Sequence, residues 1–181
     1  APTGTGKTIS TIFPAIKAMG EDKTSKIFYL TAKTITREVA QNTISLMRKK
    51  DLNLKAVTIT AKEKICKMDE VNCNPEYCPY ANGYFDRINN SLKDILLKYN
   101  DYSKENIEKI SEEYMLCPFE LSLDLTNLSD VIICDYNYVF DPNVYLKRFF
   151  AEGIRGDYVF LVDEAHNLVD RAKKMYSAVL C

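Results

Sequence analysis

Four short runs of aliphatic, β-branched and aromatic residues constrain this chain most: "KIFYLT" (Lys26 to Thr31), "LKAVTIT" (Leu54 to Thr60), "DVIIC" (Asp130 to Cys134) and "DYVFLV" (Asp157 to Val162). Each reads as a buried strand. Between the first two, Thr34 to Lys49 is long enough for a helix and places Ile35, Val39 and Leu46 at helix-like spacing, which suits a crossover connection. Strands alternating with helices predict an α/β fold with a mainly parallel sheet covered by helices. At 181 residues, 46% hydrophobic and 27% charged, the chain is long enough to bury the core of one good-sized domain.

Composition narrows the function classes. No stretch approaches the roughly 18 uninterrupted apolar residues that a membrane span needs, and no basic-then-apolar segment resembles a signal peptide. A cytoplasmic protein without a membrane partner is expected. The net charge of −1 supplies no global basic field, so any nucleic acid must be held in a local groove. Six cysteines without an export signal favour metal or cluster binding over disulfides, because a reducing cytosol keeps thiols free.

The chain opens on "APTGTGKT" (Ala1 to Thr8), which has the character of a phosphate loop spanning Thr3, Gly4, Thr5, Gly6, Lys7 and Thr8. The two glycines let successive N–H groups face phosphate oxygens, Lys7 reaches the β- and γ-phosphates, and Thr8 offers a hydroxyl to Mg²⁺. A helix from Thr8 to Met19 should follow and stop at Gly20, with Pro14 kinking or interrupting it. Far downstream, "DYVFLVDEAHN" ends a strand in two adjacent carboxylates, Asp163 and Glu164. Ligands of open α/β sheets gather beyond the carboxyl ends of strands, which sets this pair beside the phosphate loop. Asp163 then suits Mg²⁺, and Glu164 suits the attacking water of ATP hydrolysis. An acidic helix start is the plainer alternative. His166, the single histidine, has the character of a polar surface residue when considered alone.

Between Thr60 and Phe119 the strand signal vanishes, four of the six cysteines appear, and two amphipathic helices follow. "DRINNSLKDILLKYN" carries the stripe Ile88, Leu92, Ile95 and Tyr99; "SKENIEKISEEY" carries Ile107, Ile110 and Tyr114. The segment reads as an insertion small enough to need a staple, with the main domain over 1–59 and 120–181 and the insertion over 60–119. Thr60 and Glu63 have the spacing of a capping box, and Lys62, Lys64 and Lys67 surround Cys66 with positive charge. Tyr80, Tyr84 and Phe85 have rings that could stack on bases, but they suit the insertion's core better. Cys134, inside a strand, reads as a small hydrophobe.

"APTGTGKT" followed by "DEAH" resembles motifs I and II of superfamily 2 helicases, and the cysteine-rich segment between them is similar to that of the XPD/DinG-type iron–sulfur DNA helicases. "YLTAKT" (Tyr29 to Thr34) takes the place of motif Ia, and "VIICDYNYVFDP" resembles the segment before motif II. The resemblance implies a RecA-like P-loop NTPase domain with a small, mostly helical iron–sulfur insertion. It also implies ATP-driven 5′-to-3′ translocation on single-stranded or forked DNA, in repair or replication. His166 would then couple the nucleotide site to DNA, Thr31 would lie near the DNA backbone, and Lys62 and, more weakly, Arg87 would contact it. Cys66, Cys73, Cys78 and Cys117, with 6, 4 and 38 residues between successive members, match the order of the family's [4Fe–4S] ligands. Zinc or free thiols are the other readings of the same residues. The chain is expected to be a first motor domain with its insertion, able to bind nucleotide weakly and to hold a cluster but not to unwind DNA. A P-loop ATPase with a zinc staple, or a DNA-binding redox module, are the rival readings.

Overall fold

A computed structural model describes residues 6–177 of the chain. The elements of the first third are α1 (Lys7–Gly20), β1 (Lys26–Leu30), α2 (Thr34–Arg48), β2 (Ala56–Thr58) and the single turn α3 (Lys62–Ile65). They are followed by α4 (Tyr84–Lys98), β3 (Asp101–Tyr102), α5 (Lys104–Tyr114), α6 (Pro118–Leu125) and β4 (Val131–Cys134). Two single turns, α7 (Asn137–Phe140) and α8 (Lys147–Phe150), precede β5 (Tyr158–Val162) and α9 (Leu168–Tyr176). The strand order is β3-β2-β4-β1-β5, and both β1 with β5 and β2 with β3 pair in parallel. The expected α/β fold with a parallel sheet is therefore present.

Residues 6–45 and 133–177 form one compact unit, and Leu46–Ile132 a second. In the first, β1 pairs with β5 from Lys26↔Tyr158 to Leu30↔Val162, so the carboxyl ends of both strands emerge together. Phe28 is fully buried and anchors this pair: it stacks on Phe160 at 5.3 Å and meets Phe149 edge-on at 5.4 Å. α1 packs on both strands through Ile12 and Ala15. It runs unbroken through Pro14, contrary to the expected interruption. Pro14 lies on the exposed face, where water can satisfy the carbonyl that proline leaves without an N–H partner.

Two further expectations are corrected in this unit. The helix predicted after β1 exists, but it buries Ala40, Thr43 and Ile44, whereas Ile35 is 73% exposed and Val39 and Leu46 are exposed as well. Spacing alone identified the helix and mistook its inward face, because both sets of residues share the helical period and spacing cannot choose between them. β5 is also less buried than a central strand: it ends the strand order, and Phe160 remains 42% exposed.

In the second unit β2 pairs with β3 at Ala56↔Asp101 and Val57↔Tyr102, a short strand that the sequence did not announce. Arg48 secures it by donating to Leu54 O (2.9 Å), Asn100 O (2.6 Å) and the Asp101 carboxylate (3.1 Å). The two amphipathic helices appear as α4 and α5 and bury Ile88, Ile95, Ile107 and Ile110 as their stripes require. Tyr84 is buried, its hydroxyl donating to Asp124 at 2.9 Å, with its pKa raised by burial and then by the Asp124 charge. Phe85, however, is 78% exposed and is not core. The expected capping box does not form, because α3 starts one residue later, with Ala61 at its N-cap and no side-chain cap.

Candidate functional site

Thr3, Gly4 and Thr5 lie outside the described residues. Gly6 caps α1 with a left-handed backbone (φ 73), a conformation that glycine adopts without steric cost. Lys7 and Thr8 are then the first residues of α1, at the end where helix dipoles and free N–H groups favour an anion. Tyr29, on β1, has its pKa raised by burial and then by the charge of Asp163, while the Thr8 side chain opposes the rise. Asp163 lies at the carboxyl end of β5, where its N–H donates to Leu30 O at 2.9 Å.

Glu164 follows with a left-handed backbone, φ 52 and ψ 44, unusual for a residue with a side chain. Its carboxylate is half-buried, 4.0 Å from Lys33 Nζ and 3.4 Å from His166 Nε2. His166 itself is 74% exposed, on the turn Ala165–Asn167 that leads into α9. Asp163, Glu164 and His166 follow the carboxyl end of β5, beside that of β1. Thr31, expected near a DNA backbone, is 1% exposed, and its hydroxyl bonds to Thr36 Oγ1. Motif chemistry pointed to Thr31, whereas the exposed cation on this loop is Lys33.

Beneath these strand ends, Asp135 pairs with Arg171 at 3.0 Å and Arg37 at 3.5 Å, binding α9 and α2 to the turn after β4. Arg37 Nε and Asn137 Oδ1 are buried there without a hydrogen-bond partner. Cys134 is fully buried and burial pushes its thiol pKa up, in keeping with a core role. Tyr29 and Tyr136 were missed as members of the site, since no local motif marks a contact made across the sheet.

In the second unit Cys66, Cys73, Cys78 and Cys117 all line one cavity of about 360 Å³. Each comes from a different local structure. Cys66 closes α3, its N–H donating to Lys62 O at 2.9 Å; Cys73 lies on an exposed loop. Cys78 is buried in a turn, where its N–H donates to Asn74 O at 2.9 Å. Cys117 caps α6 immediately before Pro118, which suits the first helical position because it has no N–H to satisfy. Burial raises the Cys117 thiol pKa, while N–H groups of Glu120 and Phe119 bond to the sulfur and oppose that rise. Among the described residues, no three His, Cys, Asp or Glu side chains are grouped so as to hold a single metal ion.

Of the two basic residues assigned to DNA by resemblance, Lys62 lines this cavity and Arg87 bonds to the loops that carry Cys78 and Cys117. Lys62 places Nζ 3.8 Å from Cys73 Sγ, 4.0 Å from the Glu120 carboxylate and 4.9 Å above the Phe119 ring. Arg87 donates from Nε to Met115 O (2.9 Å) and from one terminal nitrogen to Pro79 O (3.0 Å) and Tyr80 O (3.3 Å). It therefore joins the loop after Cys78 to the loop before Cys117. Arg87→Ala is expected to destabilise this unit by about 2–3 kcal/mol, since bonds from a charged donor are lost and carbonyls are left unpaired. Arg87→Lys should recover only part of that, because an ammonium cannot reproduce the fork. Thermal unfolding of the two variants checks this; an alanine variant as stable as the parent sequence contradicts it.

Comparison with known proteins agrees with the resemblance read from the motifs. The chain is 22% identical, over 92% of its length, to the general transcription and DNA repair factor IIH helicase subunit XPD of Dictyostelium discoideum, and covers 25% of that protein. It is 30% identical, over 60% of its length, to the XPD/RAD3 subunit of Saccharomyces cerevisiae, covering 13% of it. A solved structure described as truncated XPD matches with a TM-score of 0.62 at 20% identity, over 97% of this chain and 49% of that one, which supports the fold. The chain thus spans a quarter or less of these two curated relatives. The DEAD_2 family profile matches residues 28–181, and the chain belongs to that family.

Proposed function

We propose that this chain is the first motor domain of an ATP-dependent DNA helicase, together with an insertion that holds a [4Fe–4S] cluster. The observation that carries the motor reading is the parallel pairing of β1 with β5, which sets Asp163 at the carboxyl end of β5 with its N–H on Leu30 O at 2.9 Å, while α1, which begins at Lys7 and Thr8, packs on both strands. In this reading Lys7 binds the β- and γ-phosphates, Thr8 and Asp163 hold Mg²⁺, and Glu164 orients and deprotonates the attacking water. Thr3, Gly4, Thr5 and Gly6 complete the phosphate cradle. His166, beside Glu164 and largely exposed, is placed to respond to what binds above the strand ends. The names of the relatives, which print DNA repair and helicase, support DNA as the partner; single-stranded or forked DNA, in repair or replication, is the finer form of this reading.

The donor set of the cysteine cavity fits a cluster. Four thiols around one cavity supply one ligand for each iron, and soft thiolates are the donors that iron–sulfur clusters take. Cys66, Cys73, Cys78 and Cys117 are its ligands in this reading, and the cluster serves as a staple for a unit whose own core is small. Lys62 contributes positive charge beside Cys73 and offsets the negative charge of the thiolates, a role different from the DNA contact implied by resemblance. The motor domain is proposed to comprise 1–59 and 120–181, with 60–119 as the insertion. No helix among the described residues is long and apolar enough to cross a membrane.

The direct test is ATP hydrolysis by the complete protein that carries this chain, measured with and without single-stranded DNA. Strong stimulation by DNA, together with unwinding of a forked duplex in the 5′-to-3′ direction, is the expected result. A turnover indifferent to DNA points instead to a P-loop ATPase of another task.

A further inference from the structure

Resting on the reading of Glu164 as the residue that activates water, we propose that Tyr136 is a positioning residue for that carboxylate. Tyr136 follows β4, far from "DEAH" in the chain, and is fully buried. Its hydroxyl donates to the carbonyl of Asp163 and lies 3.3 Å from that of Glu164. The carbonyl of Asp163 belongs to the same planar peptide as the N–H of Glu164, so fixing its direction also fixes φ of Glu164. That φ is 52°, in the left-handed region where a residue with a side chain stays only when its surroundings hold it.

The bonds around this peptide leave Tyr136 a specific task. Upstream, the Asp163 N–H is held by Leu30 O at 2.9 Å; downstream, the Glu164 carbonyl accepts from Asn167 N at 2.9 Å. Neither of these bonds uses the carbonyl between the two carboxylate residues. Tyr136 takes it, from a turn that is itself braced. Its own carbonyl accepts from Val139 N (3.0 Å) and Phe140 N (2.9 Å), and its neighbour Asp135 is bound to Arg37 and Arg171. Without the hydroxyl, this peptide can rotate and relieve the left-handed backbone. The Glu164 carboxylate then leaves the place between Lys33 and His166 where it meets water. The contact is made to the Asp163 carbonyl and not to the side chains of Lys7, Thr8 or Asp163 that are assigned to ATP and Mg²⁺, so ATP binding should change little.

Tyr136→Phe in the complete protein tests this, since it removes only the hydroxyl. With DNA saturating, kcat for ATP hydrolysis should fall about tenfold, a change of about 1.4 kcal/mol, while KM for ATP stays within about twofold. The unfolding midpoint and the stoichiometry of ATP binding are measured alongside, to show that the same fraction of protein is folded. In a Glu164→Gln background the same change should have no further effect, because a positioning residue has nothing left to position. A wild-type kcat for Tyr136→Phe overturns the proposal, and so does a tenfold loss that persists in the Glu164→Gln background. If Glu164→Gln alone turns over at the normal rate, the reading of the carboxylate fails first and takes this proposal with it.

Discussion

Replacing Glu164 by glutamine in the complete protein should reduce DNA-stimulated ATP hydrolysis by about 10²–10⁴-fold, the range that a positioned general base contributes. The amide has nearly the same shape as the carboxylate but cannot accept a proton from water. Binding should survive, because the phosphate and Mg²⁺ contacts belong to Lys7, Thr8 and Asp163. Stability should also survive, since the carboxylate is half-buried and its neighbours, Lys33 at 4.0 Å and His166 at 3.4 Å, are partly solvated and contribute little. Single-turnover hydrolysis, paired with equilibrium binding of ATP, separates the two effects. Retention of more than about a tenth of the turnover would place the general base elsewhere.

The elements that chemistry fixes locally were legible in the sequence. β1 and β4 appeared where their apolar runs lay, α1 stopped at Gly20, and α4 and α5 buried the isoleucines that their periods selected. These features depend on near neighbours in the chain and need no knowledge of a partner. The face of α2 and the exposure of β5 and Phe85 do depend on partners. Ile35, Val39 and Leu46 form as good a stripe as Ala40, Thr43 and Ile44, and only the packed structure shows which turns inward. The strand β3 has two residues and is held by Arg48, more than fifty positions away, so no run of β-formers could reveal it.

The same division runs through the site. Glycine, lysine and paired carboxylates are the basis in the sequence for the proposed phosphate chemistry, and the cysteines for the proposed soft metal chemistry. What the side chains between them do was not legible. Lys62 and Arg87 are basic residues near a presumed DNA path in the sequence, yet a lysine can reach inward along its stem and a guanidinium can serve three carbonyls. Thr31 belongs to a family motif but spends its hydroxyl on Thr36, at the start of α2. Tyr29 and Tyr136 approach the acidic motif from β1 and from the turn after β4. Their part in the site arises from parallel strands that end together, a property of topology that no short window contains.

The cysteine cavity yields the second large effect. Cys78→Ser should take bound iron from about four per chain to near none in protein purified without oxygen, with loss of acid-labile sulfide and of the visible absorbance of a cluster. Serine is close in size but offers a hard oxygen that stays protonated at neutral pH, a poor substitute for a thiolate. Cys78 is buried in a turn whose backbone bonds to Asn74, Ala81 and Asn82, which fixes the position of its sulfur. Without the staple, the unit Leu46–Ile132 should become more open to proteolysis. Cys134→Ala is the control: it lies in β4, fully buried, and should lose stability while keeping its iron. ATP binding by the Cys78→Ser protein should remain, because the residues assigned to it belong to the other unit. One zinc per chain in the wild-type protein would overturn the cluster assignment and leave the four thiols as a different staple. Iron that survives in Cys78→Ser removes Cys78 from the ligand set. Loss of iron in that variant alone, with full retention in Cys134→Ala, singles out the cavity as the place where the cluster is held.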